Sequence, residues 1–227
     1  MVGGRKGGPG PAGPSRWPAA HRSPRLAGVS ERYPLPVYYD FASTICYVAH
    51  RVLGRLAARI DDLGVDLEWR PVDLTGLTGW RRGARVSGPG RENALRVASE
   101  LGVPVRMPGF WLDSRPAHAI GLGLAEDRVK EEVWRERVWS AVFEENRDVG
   151  ADGTIEILAR EVGVAPEVAA PPAALETATG RAREAGIEAV PAFLIDTWPM
   201  GGIQDDQSMT AFFERYVRKR RREKGLE

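Results

Sequence analysis

Apolar residues recur along the chain at two different periods, and the switches between them mark its elements. Near Leu35–Phe41 the β-branched and aromatic residues Val37, Tyr38 and Tyr39 suit a pleated strand. Ala42 and Ser43 turn the chain. Ile45, Val48, Ala49, Val52, Leu53, Leu56 and Ile60 then fall at helical spacing, which predicts one helix running to about Leu63 and stopped by Gly64. Val65–Arg70 alternates, with Val65, Leu67 and Trp69 on one side, as a second strand does. Strand, helix and strand in so short a span predict a right-handed βαβ unit with parallel strands.

From Pro71 to about Gly186 the pattern is helical without intervening strands. Gly76–Gly90 reads as a glycine-rich loop. Arg91–Leu101, Pro116–Ala125, Arg128–Asn146, Thr154–Val162 and Ala173–Ala185 read as helices, and Val103–Ser114, broken by two prolines, as irregular chain. This predicts an all-helical insertion at about 76–186. Strands return at Ala192–Ile195, directly after Pro191, with Asp196–Pro199 as turn and Met200–Ile203 as hairpin partner. Asp205 or Asp206 then caps a last amphipathic helix that turns Met209, Phe212, Phe213, Tyr216 and Val217 inward. The expected class is α/β, in the order βαβ, helical block, ββα.

Residues 1–32 are rich in Gly, Pro, Ala and Arg and show no apolar period, so a disordered tail is expected, with the folded domain at 33–217. A net charge of +1 hides an uneven distribution: residues 1–36 carry +5, residues 217–227 carry +4, and the body between them about −8. An acidic body with basic ends is not the pattern of a nucleic-acid groove. The basic stretch 218–227 reads as the solvated end of the last helix, where cations complement the dipole. The apolar runs are too short to span a bilayer, and the N-terminus has no apolar signal core. With a single cysteine no intramolecular disulfide forms, so a cytoplasmic location is expected.

The candidate chemistry sits at the start of the first helix. Ser43 is placed to cap it, and Cys46, one turn on, shares its face. The free N–H groups and positive dipole end there favour an anion such as a thiolate. Two plain readings stand beside this one: Ser43 as an ordinary cap, and Cys46 as a small buried hydrophobe. His50 and His118 have no companions at metal-ligand spacing, and the glycines of 76–90 match no phosphate loop, so neither a metal nor a nucleotide is expected.

DFASTICYVAH at 40–50 resembles the strand end, active-site turn and helix start of the DsbA-like thioredoxin superfamily. DSRPAH at 113–118 resembles a motif in the insertion of FrnE-like members. EAVPAFLID and GGIQ resemble that superfamily's Val-Pro before the third strand, where the proline is cis, and the Gly-x-Gln after it. The resemblance covers about Pro36–Val217. It departs at one point: Ser43 stands where redox members carry the attacking cysteine, and a dithiol cycle needs two thiols. Kappa-class glutathione transferases and 2-hydroxychromene-2-carboxylate isomerases have serine there, donating to the sulfur of bound glutathione. The resemblance therefore implies a glutathione-dependent transferase or isomerase with Ser43 and Cys46 at its centre, glutathione as cofactor and a small electrophile as substrate. Val190 would offer backbone to the ligand, and Pro191, Gln204, Asp205 and Asp206 would line the site, one aspartate holding the γ-glutamyl ammonium unless both merely cap the helix. The alternatives are an oxidoreductase using Cys46 as a single thiol with a protein thiol partner, and a non-catalytic binding module. Exposed apolar faces on the helical block would allow a homodimer.

Overall fold

The computed structural model describes residues 31–226. Its sheet has four strands, β1 (Tyr33–Tyr39), β2 (Val65–Pro71), β3 (Ala192–Ile195) and β4 (Trp198–Gly201), in the order β2-β1-β3-β4. β2 runs parallel to β1, with Val37 opposite Trp69; β3 runs antiparallel to β1, with Val37 opposite Phe193; β4 runs antiparallel to β3. This is the expected βαβ…ββα arrangement.

Between β1 and β2 lie α1 (Thr44–Arg55) and α2 (Ala57–Asp62) instead of one continuous helix. The Leu56 amide is shared between the carbonyls of Val52 and Leu53, so the turn tightens there before the helix resumes. Gly54, a weak helix former, precedes the break. The helical block comprises α3 (Leu74–Thr78), α4 (Gly88–Glu100), α5 (Arg115–Gly123), α6 (Arg128–Phe143), α7 (Thr154–Glu161) and α8 (Pro172–Glu184). Two corrections fall at 74–90. Asp73 caps α3 by accepting the Thr75 amide at 3.1 Å, and α4 begins with Gly88, Pro89 and Gly90. Proline suits a first helical turn, whose N–H groups have no intrahelical acceptor. The hairpin also differs from expectation. Its loop is only Asp196-Thr197, with Asp196 at φ +56°, and Trp198 and Pro199 already belong to β4. Pro199 is tolerated because β4 is an edge strand.

The chain ends on α9 (Asp206–Glu223), with Met209, Phe212, Phe213, Tyr216 and Val217 buried as its period requires. Of the expected tail, residues 1–30 lie outside the described residues. Of its last two residues, Glu31 is paired with Lys224 and Arg32 with Asp61.

Alternation along β1 sends its side chains to two faces. Leu35, Val37 and Tyr39 enter a large core with Val48 and Val52 of α1, Trp134, Val138 and Trp139 of α6, Phe193 and Phe213. Tyr38 faces the other way, into a smaller cluster with Val72, Ala182, Ile187 and Ala192. The helical block thus shares its core with the sheet. Tyr39, Phe41, Trp69, Trp139, His50 and His118 pack edge-to-face or tilted at centroid distances of 4.6–5.9 Å, fixing how the insertion seats on the strand ends.

Candidate functional site

β1 delivers the chain to the rim of the sheet, and a tight turn reverses it into α1. The Asp40 carbonyl accepts the Ser43 amide at 3.1 Å, and Asp40 Oδ1 accepts the Ala42 amide at 2.8 Å. Ser43 is extended, with φ −85° and ψ 114°, and its Oγ accepts the Cys46 amide at 3.2 Å. It is the cap its position predicts. Because Oγ is used as an acceptor, the hydroxyl proton is directed elsewhere. Ser43 is buried, with 6% exposure, and Ala42 beside it is half-buried.

Cys46 has no exposed surface. Burial pushes its thiol up to about 12; the Ser43 hydroxyl opposes the shift and the Asp40 charge adds to it. Any benefit from the helix N-terminus is therefore outweighed. Of the two plain readings, the buried hydrophobe describes Cys46.

The Val190–Pro191 peptide is cis. Tyr38 pairs with Ala192, so Pro191 comes level with Tyr39, at the end of the sheet from which the chain turns into Ser43. The Gly202 amide donates to the Pro191 carbonyl at 2.8 Å and brings the strand after the hairpin, with Gln204 just beyond it, back to that end. Among the described residues, the amide and carbonyl of Val190 have no backbone partner.

Asp205 and Asp206 do not join this group. Asp205 caps α9, accepting the Ser208 amide at 2.9 Å and the Ser208 hydroxyl at 2.8 Å, and the Ser208 amide holds its carboxyl below the ordinary range. Asp206 is ion-paired with Arg55 at 2.6 Å. Arg55 ends α1, a 12-residue helix, and so lies roughly 16–18 Å along the axis from Ser43. The two aspartates border a shallow depression of about 480 Å³ with Arg55, Leu101, Gly102 and Gln207. Asp205 thus takes the capping role that was one of the two expectations for this pair, and Asp206 is engaged by an arginine.

Asp40 and Ser114 join the site although neither is among the candidate residues expected from the sequence pattern. Asp40 is buried, yet it is the best-partnered side chain at the site. Besides the Ala42 amide, it accepts the Ser114 hydroxyl on Oδ1 at 2.7 Å and the Leu74 amide on Oδ2 at 2.6 Å. His118 Nε2 lies 3.4 Å from both Oδ1 and the Phe41 amide nitrogen, while its Nδ1 is buried without a partner. Burial alone would raise the Asp40 pKa, but His118, Ser114 and the Ala42 amide outweigh it and the net shift is downward. Two signals were present in the sequence: an acid ending an apolar strand, and the DSRPAH segment that carries Ser114 and His118.

A second polar group ties α1 to α6. His50 Nε2 meets Glu136 at 2.6 Å, Arg51 pairs with Glu136 and Glu144, and the Tyr47 hydroxyl donates to Glu144 at 2.9 Å. Burial lowers the His50 pKa against the pull of Glu136.

A four-stranded mixed sheet with a capped helix after its first strand, a cis-proline before its third and helices inserted between the halves is the thioredoxin fold with a helical insertion. Residues 35–217 match the family model of the DSBA-like thioredoxin domain, and the chain belongs to that family. No curated protein matches it significantly. Among solved structures it resembles a 2-hydroxychromene-2-carboxylate isomerase at 19% identity, covering 86% of this chain and 100% of the other with TM-score 0.63. A probable DsbA oxidoreductase from Streptomyces coelicolor is similar at 23% identity, with 81% and 89% coverage and TM-score 0.62. The cytosolic disulfide reductase DsbM from Pseudomonas aeruginosa, solved with GSH, matches at 19% identity, with 82% and 100% coverage and TM-score 0.59. At these identities the likeness is one of fold. Among the described residues, no helix is long and apolar enough to cross a membrane.

Proposed function

We propose that the protein is a glutathione-dependent enzyme of transferase or isomerase type, in which Ser43 holds the glutathione sulfur. The observation that carries this reading is the burial of Cys46. The only thiol of the chain has no exposed surface and a pKa of about 12, so a reactive thiol at this site has to arrive on a ligand. Ser43 is the residue equipped to receive it: its Oγ lone pair is engaged by the Cys46 amide, and its proton, which favours the thiolate form of Cys46, is the donor that a ligand sulfur would take over. The N-terminus of α1 adds a positive field that favours thiolate. The Val190 backbone at the same end of the sheet would pair with the glutathione backbone as an added strand. The reductase solved with GSH among the similar structures supports the choice of ligand.

In this reading the glutathione thiol releases its proton to solvent as Ser43 donates to the sulfur. The thiolate then forms a C–S bond to an electrophilic carbon. In transfer the leaving group departs with the bonding pair; in isomerisation the C–S bond breaks again after rearrangement and the thiolate is regenerated. A supply of reduced glutathione matches a reducing, cytoplasmic setting. Single-thiol redox chemistry at Cys46 is disfavoured by the same burial.

The test is glutathione-dependent consumption of a panel of small electrophiles, including halonitroarenes and enones. Acceleration over the uncatalysed reaction by the wild type, reduced about 100-fold in Ser43→Ala, is expected, in line with the loss of one donor to a developing anion. Equal rates for the two proteins would remove Ser43 from the chemistry.

A further inference from the structure

Three segments meet at one buried carboxylate beside Ser43. The β1–α1 turn contributes the Ala42 amide at 2.8 Å, the start of α3 contributes the Leu74 amide at 2.6 Å, and the start of α5 contributes the Ser114 hydroxyl at 2.7 Å. Asp40 is 1% exposed, so these donors satisfy it in place of water. Its main chain acts on the same turn, since its carbonyl accepts the Ser43 amide at 3.1 Å. Ser43 is thus fixed from behind by Asp40 and from ahead by the Cys46 amide. α3 and α5 belong to the helical insertion, so the carboxylate also sets the insertion against the turn. His118, from the next turn of α5, closes the remaining side at 3.4 Å.

We propose that Asp40 is the positioning residue of this site: by binding the Ala42 amide, the Leu74 amide and the Ser114 hydroxyl together, it fixes the turn that carries Ser43 and with it the direction of the Ser43 hydroxyl. It touches no substrate and acts through Ser43. The inference rests on the reading that Ser43 binds a thiol ligand. A charge-assisted hub with three short hydrogen bonds holds a turn far more narrowly than an N-cap alone. A sulfur acceptor gains most from a hydroxyl whose orientation is already fixed.

The test uses reduced glutathione as probe on the full chain, with Asp40→Asn, Ser43→Ala and the double variant, and Ser114→Ala as a milder change should Asp40→Asn fail to fold. A residue acting through Ser43 gives a non-additive cycle, whereas a merely structural role gives an additive one. The expected result is a dissociation constant raised about tenfold in Asp40→Asn and two- to threefold in Ser114→Ala, with neither change adding to Ser43→Ala. Amide exchange by NMR on the free protein must also quicken at Ala42 and Leu74 in Asp40→Asn while the α6 amides stay protected. Wild-type affinity in Asp40→Asn, additivity in the cycle, or unchanged exchange at Ala42 and Leu74 overturns the inference and leaves the Ser43 reading intact. Absence of glutathione binding by the wild type overturns the Ser43 reading, and this inference with it.

Discussion

When the folded protein meets an aromatic disulfide reagent at about pH 8, two independent factors act against its one thiol. The first is ionisation. A thiol with pKa about 12 is thiolate to roughly one part in 10⁴ there, against about one part in ten at the ordinary value of 9.0, a penalty of about 1,000-fold. The second is access, because Cys46 has no exposed surface and α1 must open before the reagent can reach it. Reaction in native buffer is therefore expected at least 1,000-fold slower than for a free cysteine, rising to one full equivalent when denaturant is added. The assay is absorbance of the released aryl thiolate with time. Ser43→Ala removes a hydroxyl that favours the thiolate, so that substitution leaves the thiol at least as inert. Labelling of the native wild type within tenfold of the free-cysteine rate would refute the reasoning and restore single-thiol redox chemistry as the leading function.

Further outcomes follow from the same packing. Folded Cys46 keeps its proton where the unfolded chain has lost it, so its stabilisation is complete below about pH 9 and falls towards pH 12 at about 1.4 kcal/mol per pH unit; Cys46→Ala should flatten alkaline denaturation curves over that window. Asp40→Ala strands the Ala42 amide, the Leu74 amide and the Ser114 hydroxyl at about 1–3 kcal/mol each before relaxation, so a loss of about 3–5 kcal/mol is expected in urea melts. Because the Asp40 pKa is lowered on folding, the stability it confers is present above the ordinary 3.8 and is lost as pH falls below it, which acid titration of the wild type should show. Gly123→Ala would place a Cβ 1.7 Å from the Val168 carbonyl oxygen and should abolish soluble folding or cost several kcal/mol, whereas Gly180→Ala in α8 meets nothing within 4 Å and should stabilise by about 0.5–1 kcal/mol in thermal melts.

The alternation of β1 and β2 and the long apolar period of α1 made the βαβ unit readable, because both periods reflect a face buried against a core. Boundaries were lost where local chemistry overrides composition. Glycines and a proline at 76–90 look like loop, but Pro89 occupies a first turn and Asp73 caps a helix. The break at Leu56 leaves almost no trace, since its flanking residues keep the apolar period. The cap at Ser43 was legible because capping is a local signal, whereas the place of Pro191 came only from the resemblance to the DsbA-like superfamily. Asp40 was not legible, because its partners come from 34 and 74 residues away and only the fold assembles them. The same holds for Asp206: Arg55 lies 151 residues upstream, and nothing in the GGIQDD segment announces that pairing.

Whether Ser43 holds glutathione is decided by thermal unfolding with and without reduced glutathione, on the wild type and on Ser43→Ala. At about 100 times its dissociation constant a ligand stabilises the native state by roughly 2.7 kcal/mol, which displaces a melt by several degrees. If Ser43 holds the glutathione sulfur, the wild type shifts clearly upward and Ser43→Ala much less at the same concentration. No shift in the wild type, or equal shifts in the two proteins, would contradict that role.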